Sequence, residues 1–267
     1  MTNSIFWQLS TIDSPTASTI VGTMHLSGHD ALAHWPYIET LIGHYHFIYT
    51  ESSLSGDAQA FLQNHMMLPD GVSYQHYLTT NRWRRMRDTF IRYYQIDISL
   101  YERVHPLFVI SMIQKKILDD DGLALDQMIW DTAGRSSKTV VGIETPEEQV
   151  EVLRQLSLRR QYRELCRLSL HVSGQVRKLR RLSKAYRHMD IYGLYKMSRD
   201  SIRAESRILL ADRNLRMADR IWSWHHENPS LFSFGAGHLA GANGVLAILK
   251  RRGASLRAIS HQEIGLL

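Results

Sequence analysis

The sequence predicts an α/β fold: a central sheet completed by N- and C-terminal strand-Gly-x-x-His-helix units, with a large helical insertion in the middle. Three observations lead there. Short runs rich in β-branched and aromatic residues cluster at the two ends of the chain, with one more near residue 140. The stretches between them carry apolar residues at helical spacing. No Pro-, Gly- or Ser-rich linker is long enough to separate independent domains. The expected organisation is therefore a single domain over residues 1–267, with an α/β core at about 1–55, 138–150 and 228–267 and a helical elaboration at about 56–137 and 151–227.

The elements follow in order. IFWQLS and TIVGTMH read as a strand pair around the turn-rich TIDSPTAS. A helix is expected from Asp30, as its cap, through ALAHWPYIETLIGHY, with Pro36 near its start where a missing donor costs little. HFIYTESS is a third strand. AQAFLQNHMML, RWRRMRDTFIRYY, PLFVISMIQKKIL and LALDQMIWDTAGR are helical runs, and KTVVGIE is a buried strand. Thr145, Pro146, Glu147 and Glu148 start a helix through TPEEQVEVLRQLSLRRQYRELCRLSL: a cap, a proline in the first turn and two acids. Further helices are expected at QVRKLRRLSKAYRHM and SIRAESRILLADRNLRMADRIWSWHHE. The chain then closes with LFSFGAG as a strand, LAGANGVLAILKRRG as a helix stopped by Gly253, and SLRAIS as a strand.

Composition narrows the function. The 267 residues are 44% apolar and 22% charged, ordinary for a globular chain able to bury a core without staples. The single cysteine, Cys166, excludes an internal disulfide and a thiolate-cluster metal site, and in its helical run it reads as a buried thiol. No basic segment precedes an apolar one at the N-terminus, and no apolar run approaches the length of a membrane span, so a cytoplasmic protein without membrane insertion is expected. A homo-oligomer is compatible with the sequence. The net charge of +6 is concentrated between Arg154 and Arg220. No helix-turn-helix or zinc-finger pattern accompanies it, so it reads as a solvated helix face with no nucleic-acid partner. Arg177, Lys178, Arg180 and Arg181 are expected to be exposed and not to line an aromatic groove.

The candidate chemistry sits at strand ends. An apolar strand runs into Gly22-Thr23-Met24-His25, and another into Gly235-Ala236-Gly237-His238. A histidine just past a buried strand faces the crevice at the carboxyl edge of a parallel sheet. Gly22, Gly235 and Gly237 permit a turn or a close backbone approach there. Glu51 ends a third strand. Two neutral imidazoles and one carboxylate suit a divalent metal, which lowers the pKa of water and polarises a carbonyl. His44, His46, His65, His76, His225 and His226 carry no such signal.

These points resemble the TraB/PrgY/GumN family, which includes the TIKI metalloproteases. The shared pattern is GTMHL at Gly22 to Leu26, GAGHLAGANGVLAILKRRG at Gly235 to Gly253, and Glu51 in YTESSL. LDQMIWDTA followed by KTVVGIETPEEQ is similar to the family's central block, and LLADRNLRMADRI to the segment before its last strand. The resemblance covers most of the chain. It implies an erythromycin-esterase/ChaN-type α/β fold, and a divalent cation, manganese or cobalt rather than zinc. His25, Glu51 and His238 become the metal and catalytic set, with Glu51 as ligand or as proton relay. The resemblance also marks Glu144, Arg213 and Asn214 as substrate-binding candidates. Glu144 reads equally as a helix-start acid or ion-pair partner, and Arg213 and Asn214 as ties between a helix and the sheet. The implied activity is hydrolysis of a peptide or a small amide or ester. The alternative is a non-catalytic ligand-binding or regulatory protein taking a peptide or haem-like ligand, since ChaN-like relatives bind haem. Neither the membrane segments of one branch nor the extracellular setting of another matches this chain, so neither branch supplies a substrate.

Overall fold

A computed structural model describes residues 2–24, 29–117, 122–202 and 205–266. They fall into two compact units: Met1–Leu54, Gly122–Gln149 and Leu182–Leu267 form the first, and Ser55–Asp121 and Val150–Arg181 the second.

The first unit carries one six-stranded sheet. Its strands are β1 (Phe6–Thr11), β2 (Ser14–Thr23), β3 (Phe47–Ser52), β4 (Thr139–Glu144), β5 (Ser230–Gly235) and β6 (Ser255–Ala258), in the order β4-β3-β5-β2-β1-β6. β4, β3, β5 and β2 are mutually parallel, while β1 runs antiparallel to both β2 and β6. The mixed α/β architecture predicted from the sequence is the one observed, with N- and C-terminal strands completing the sheet. β5 lies between two parallel neighbours and is buried at every position, as an inner parallel strand must be. β2 begins at Ser14, earlier than its apolar run, because Thr11 pairs with Ser14 across a short turn. β4 departs from the expected buried strand. It is an edge strand, exposed or half-exposed from Thr139 to Gly142, with Val141 41% exposed and only Ile143 and Glu144 buried.

Three expected helices are interrupted. The run after Asp30 splits into α1 (His29–Leu32) and α2 (Trp35–His44). Pro36 lacks the amide for a continuous ladder and its ring would crowd the carbonyl of residue 32, so it sits in the first turn of α2 and Asp30 in that of α1. The run from Thr145 breaks into α7 (Pro146–Gln155) and α8 (Leu158–Leu170), with the Ser157 carbonyl accepting the Gln161 amide at 3.1 Å to start the second piece. Its start is as predicted: Thr145 and Glu148 exchange side-chain-to-amide bonds of 2.9 and 3.3 Å. The run at 201–227 is the end of α10 (Ile191–Ile202), a π-turn (Arg207–Ala211) and α11 (Asp212–Glu227).

The second unit is helical, with α3 (Gly56–His65), α4 (Thr80–Tyr94), α5 (Pro106–Ile117) and α8. α4 is strongly amphipathic. Trp83, Met86, Phe90 and Tyr94 are buried at spacings of three and four, while Arg82, Arg84 and Arg85 face solvent. Trp83 stacks on Tyr74 with ring centres 3.7 Å apart, and Tyr77 on Tyr162 at 5.1 Å. Cys166 packs in this core, and burial pushes its thiol up, as a structural cysteine requires.

Candidate functional site at the carboxyl edge of the sheet

The register of the parallel strands aligns their carboxyl ends. Thr23 pairs with Gly235, Thr50 with Ser233, and Ser52 with Glu144. Sites in open parallel sheets form outside this edge. Glu51 and Glu144 therefore end adjacent strands, and the turn Ala236–His238 follows β5 at the same edge. Glu51, Glu144 and His238 are all buried. His25, two residues past the end of β2, lies outside the described residues, so its expected convergence with Glu51 and His238 falls there too.

The opposing wall is α11, packed on β2, β4 and β5. Arg213 Nε donates to both Glu144 oxygens at 2.9 and 3.0 Å, and Nη2 donates to Glu144 Oε2 and Glu51 Oε1, each at 2.5 Å. The other Glu51 oxygen accepts the Gly235 amide at 2.7 Å. One guanidinium thus spans the two strand-end carboxylates. Burial disfavours its charge, but the Glu51 carboxylate and the hydrogen-bonded Glu144 outweigh that and hold its pKa above the ordinary arginine value. Arg216 approaches Glu144 at 3.5 Å and Glu148 at 3.9 Å. Arg220 grips both Glu148 oxygens at 2.7 and 2.9 Å and donates to the Ile143 carbonyl. Burial would raise the Glu148 pKa, but these bonds lower it. Three arginines on one helix face so meet three carboxylates, leaving the cluster with no net formal charge.

Asn214 assigns a proton to one ring nitrogen of His238. Its Nδ2 donates to the Asn243 carbonyl at 2.6 Å, which leaves its Oδ1 to accept from His238 Nδ1 at 2.5 Å. The proton of neutral His238 is then on Nδ1, and Nε2 carries the lone pair. Two glycines matter through close packing. A Cβ on Gly22 would come within 2.6 Å of Leu239 Cδ1, and one on Gly237 within 2.8 Å of Ser198 Oγ.

Sequence reasoning picked out Glu51, Glu144, Arg213, Asn214 and His238, which this edge brings together. It missed Arg216, Arg220 and Asn243. The signal was present for two of them: 213, 216 and 220 share one helical face. Other histidines are also buried. His225, which carried no ligand signal in the sequence, has Nδ1 2.9 Å from Ser18 Oγ, and His34, which the sequence did not single out, has Nδ1 3.2 Å from His261 Nε2.

Among the described residues no three His, Cys, Asp or Glu side chains are grouped to hold a metal ion, and no helix is long and apolar enough to cross a membrane. The family model described as TraB/PrgY/gumN matches residues 5–258. Neither a curated protein nor a solved structure matches the chain.

Proposed function

The chain belongs to the TraB/PrgY/gumN family, and from that premise we propose that it is a metal-dependent hydrolase of a peptide or a small amide or ester. The observation that carries this reading is the Asn214–His238 bond of 2.5 Å. Metal-binding histidines characteristically donate their second ring N–H to a carbonyl or carboxylate, which fixes the tautomer and raises the basicity of the other nitrogen. His238 has that arrangement, so its donor chemistry fits a cation. In this reading His238 Nε2 and Glu51 hold a divalent ion, manganese or cobalt, together with His25. The bound ion would supply a Lewis acid for the carbonyl and a lowered pKa for water.

The protein's own groups have distinct tasks in that scheme. Asn214 orients the imidazole. Arg213 and the Gly235 amide hold the Glu51 carboxylate in place, each on one oxygen. Arg213 commits Nε and Nη2 to Glu51 and Glu144, so its role in this scheme is to organise the site rather than to seize a substrate. Glu144 shares that role. A cytoplasmic setting and a peptide or small-molecule substrate complete the proposal. A second reading, a ligand-binding protein on the same fold, draws on the hydrogen bond that each Glu51 oxygen accepts, since a carboxylate with both oxygens engaged is a poor proton relay.

Manganese titration by calorimetry and assay against a mixed peptide library test the proposal. His238→Ala is expected to abolish measurable metal binding and hydrolysis with the far-UV spectrum intact. Asn214→Ala is expected to weaken metal affinity by about 10–100-fold. Unchanged manganese affinity in His238→Ala would sink the metal assignment. Normal metal binding with no hydrolysis of any library member would select the ligand-binding reading.

A further inference from the structure

We propose that a groove in the helical unit binds a phosphate group carried on an apolar or aromatic body. The groove has a volume of about 670 Å³ and is formed by the last turns of α4, the end of α8 and the start of α9 (Val172–Arg187). It lies wholly within the second unit and owes nothing to the strand-end site.

Its charge is the first argument. Arg92 and Arg177 both line it, both are exposed, and neither has a carboxylate partner among the described residues. In that they differ from three other arginines of the same unit. Arg87 is paired with Asp97 at 2.6 Å, Arg103 with Asp70 at 2.6 Å and Arg167 with Glu164 at 3.0 Å. The one acid on the lining, Asp88, is a turn from Arg92 and makes no ion pair with it, so the groove keeps net positive charge. Two forked guanidiniums facing one cavity match a tetrahedral oxyanion better than a single point charge would.

The second argument is the apolar rim. Leu170 is 70% exposed and Tyr93 57% exposed, and both line the groove. Arg92 lies over the Tyr93 ring at 5.6 Å, which holds that ring beside the charge. Exposed leucine and tyrosine next to unpaired arginines point to an amphipathic ligand: an anionic end for the arginines and a greasy or aromatic body for the rim. A single tyrosine is not a row of stacking platforms, so a nucleic-acid strand does not fit the same features.

The experiment uses the whole chain. Inorganic phosphate and phenyl phosphate are titrated by calorimetry, and phosphatidylcholine vesicles with and without phosphatidic acid are sedimented with the protein. Phenyl phosphate is expected to bind tighter than inorganic phosphate, and Arg92→Gln/Arg177→Gln to lose about tenfold or more in affinity. The control Arg163→Gln/Arg181→Gln removes the same charge outside the groove and is expected to leave binding unchanged. Loss confined to the vesicle arm identifies the phosphate as a lipid headgroup, and loss in the phenyl phosphate arm identifies a soluble ester. Equal losses in both double variants would overturn the proposal in favour of diffuse attraction. So would absence of binding to every phosphate probe. Circular dichroism of each variant separates these outcomes from misfolding.

Discussion

In the sheet-bearing unit, Arg213, Glu51 and Glu144 lie inside and pair with one another at 2.5 to 3.0 Å. In the helical unit, Arg159, Arg160, Arg163, Arg180 and Arg181 stand outside, over a core built from Trp83, Phe90, Tyr94 and Tyr162. The totals differ as much as the placement. The helical unit has 17 Lys and Arg against 10 Asp and Glu, and the sheet-bearing unit has 15 against 16, so the helical unit supplies the whole positive balance of the chain. The contrast teaches where charge is replaceable. A buried ion cluster fails when one member is removed, because its partners stay desolvated and uncompensated. An exposed cation leaves behind only water and its neighbours.

The largest effect is expected from Arg213→Met. It strands two adjacent buried carboxylates and should cost about 3–5 kcal/mol in urea unfolding. Adding Glu144→Gln removes one of those charges and should restore part of the loss, giving a clear coupling energy in the double-mutant cycle. A loss below about 1 kcal/mol in the single variant would mean that the cluster is no more sensitive than a surface pair.

A pH series probes a liability that the two units share. His225 in the sheet-bearing unit and His105 in the helical unit are both buried, and desolvation lowers each pKa to about 4; His226 adds to the effect at His225. In the unfolded chain both would titrate near 6.5. As pH falls below that value the unfolded state takes up protons first. Stability is therefore full above about pH 6.5 and declines toward pH 4, by up to about 3 kcal/mol per histidine. Comparing unfolding free energies at pH 7.5 and 4.5 for wild type, His105→Phe and His225→Gln checks it. Each variant should show a shallower decline. Parallel slopes in all three would show that the acid sensitivity lies elsewhere.

The smallest effect is expected at Arg180→Ser. This exposed side chain has no ion pair among the described residues, and its loss should change stability by no more than about 0.5 kcal/mol. A loss of several kcal/mol, measured in the same urea assay, would place a hidden partner on it and erase the distinction between the units.

Much of the sheet was legible in the chain because strand-forming residues are locally dense: FIYTE and LFSFG advertise β3 and β5 through their own composition. Glu51 and His238 were legible for the same reason, since each follows directly on such a run. Arg213, Asn214 and Glu144 came into view through the family pattern. What stayed hidden depends on partners distant in sequence. Nothing local in TVVGIE tells whether a neighbour pairs on both sides, and β4 proves to be an edge. The spacing of Arg216 and Arg220 marks a helix face but not what it faces. The break at Leu156–Ser157 interrupts a strongly periodic run, and periodicity alone carries through it. The buried histidines His34 and His225 have no sequence mark, because their burial comes from elements packed over them. His25, the other histidine of the metal reading, lies outside the described residues.

α11 fastens both ends of the sheet at once. Arg213 and Asn214 near its start hold the carboxyl edge, and His225 near its end reaches Ser18, whose hydroxyl also receives the Ser230 amide where β5 begins. The separation from Arg213 to His225 is twelve residues, about 18 Å along the helix axis. The helix therefore works as a gauge with teeth at both ends. Inserting or deleting a single residue between them would rotate one set of teeth by about 100° relative to the other. The half-exposed Leu215 can change its side chain freely, but the count of residues from one end to the other cannot change without disengaging either Ser18 or the paired strand-end carboxylates.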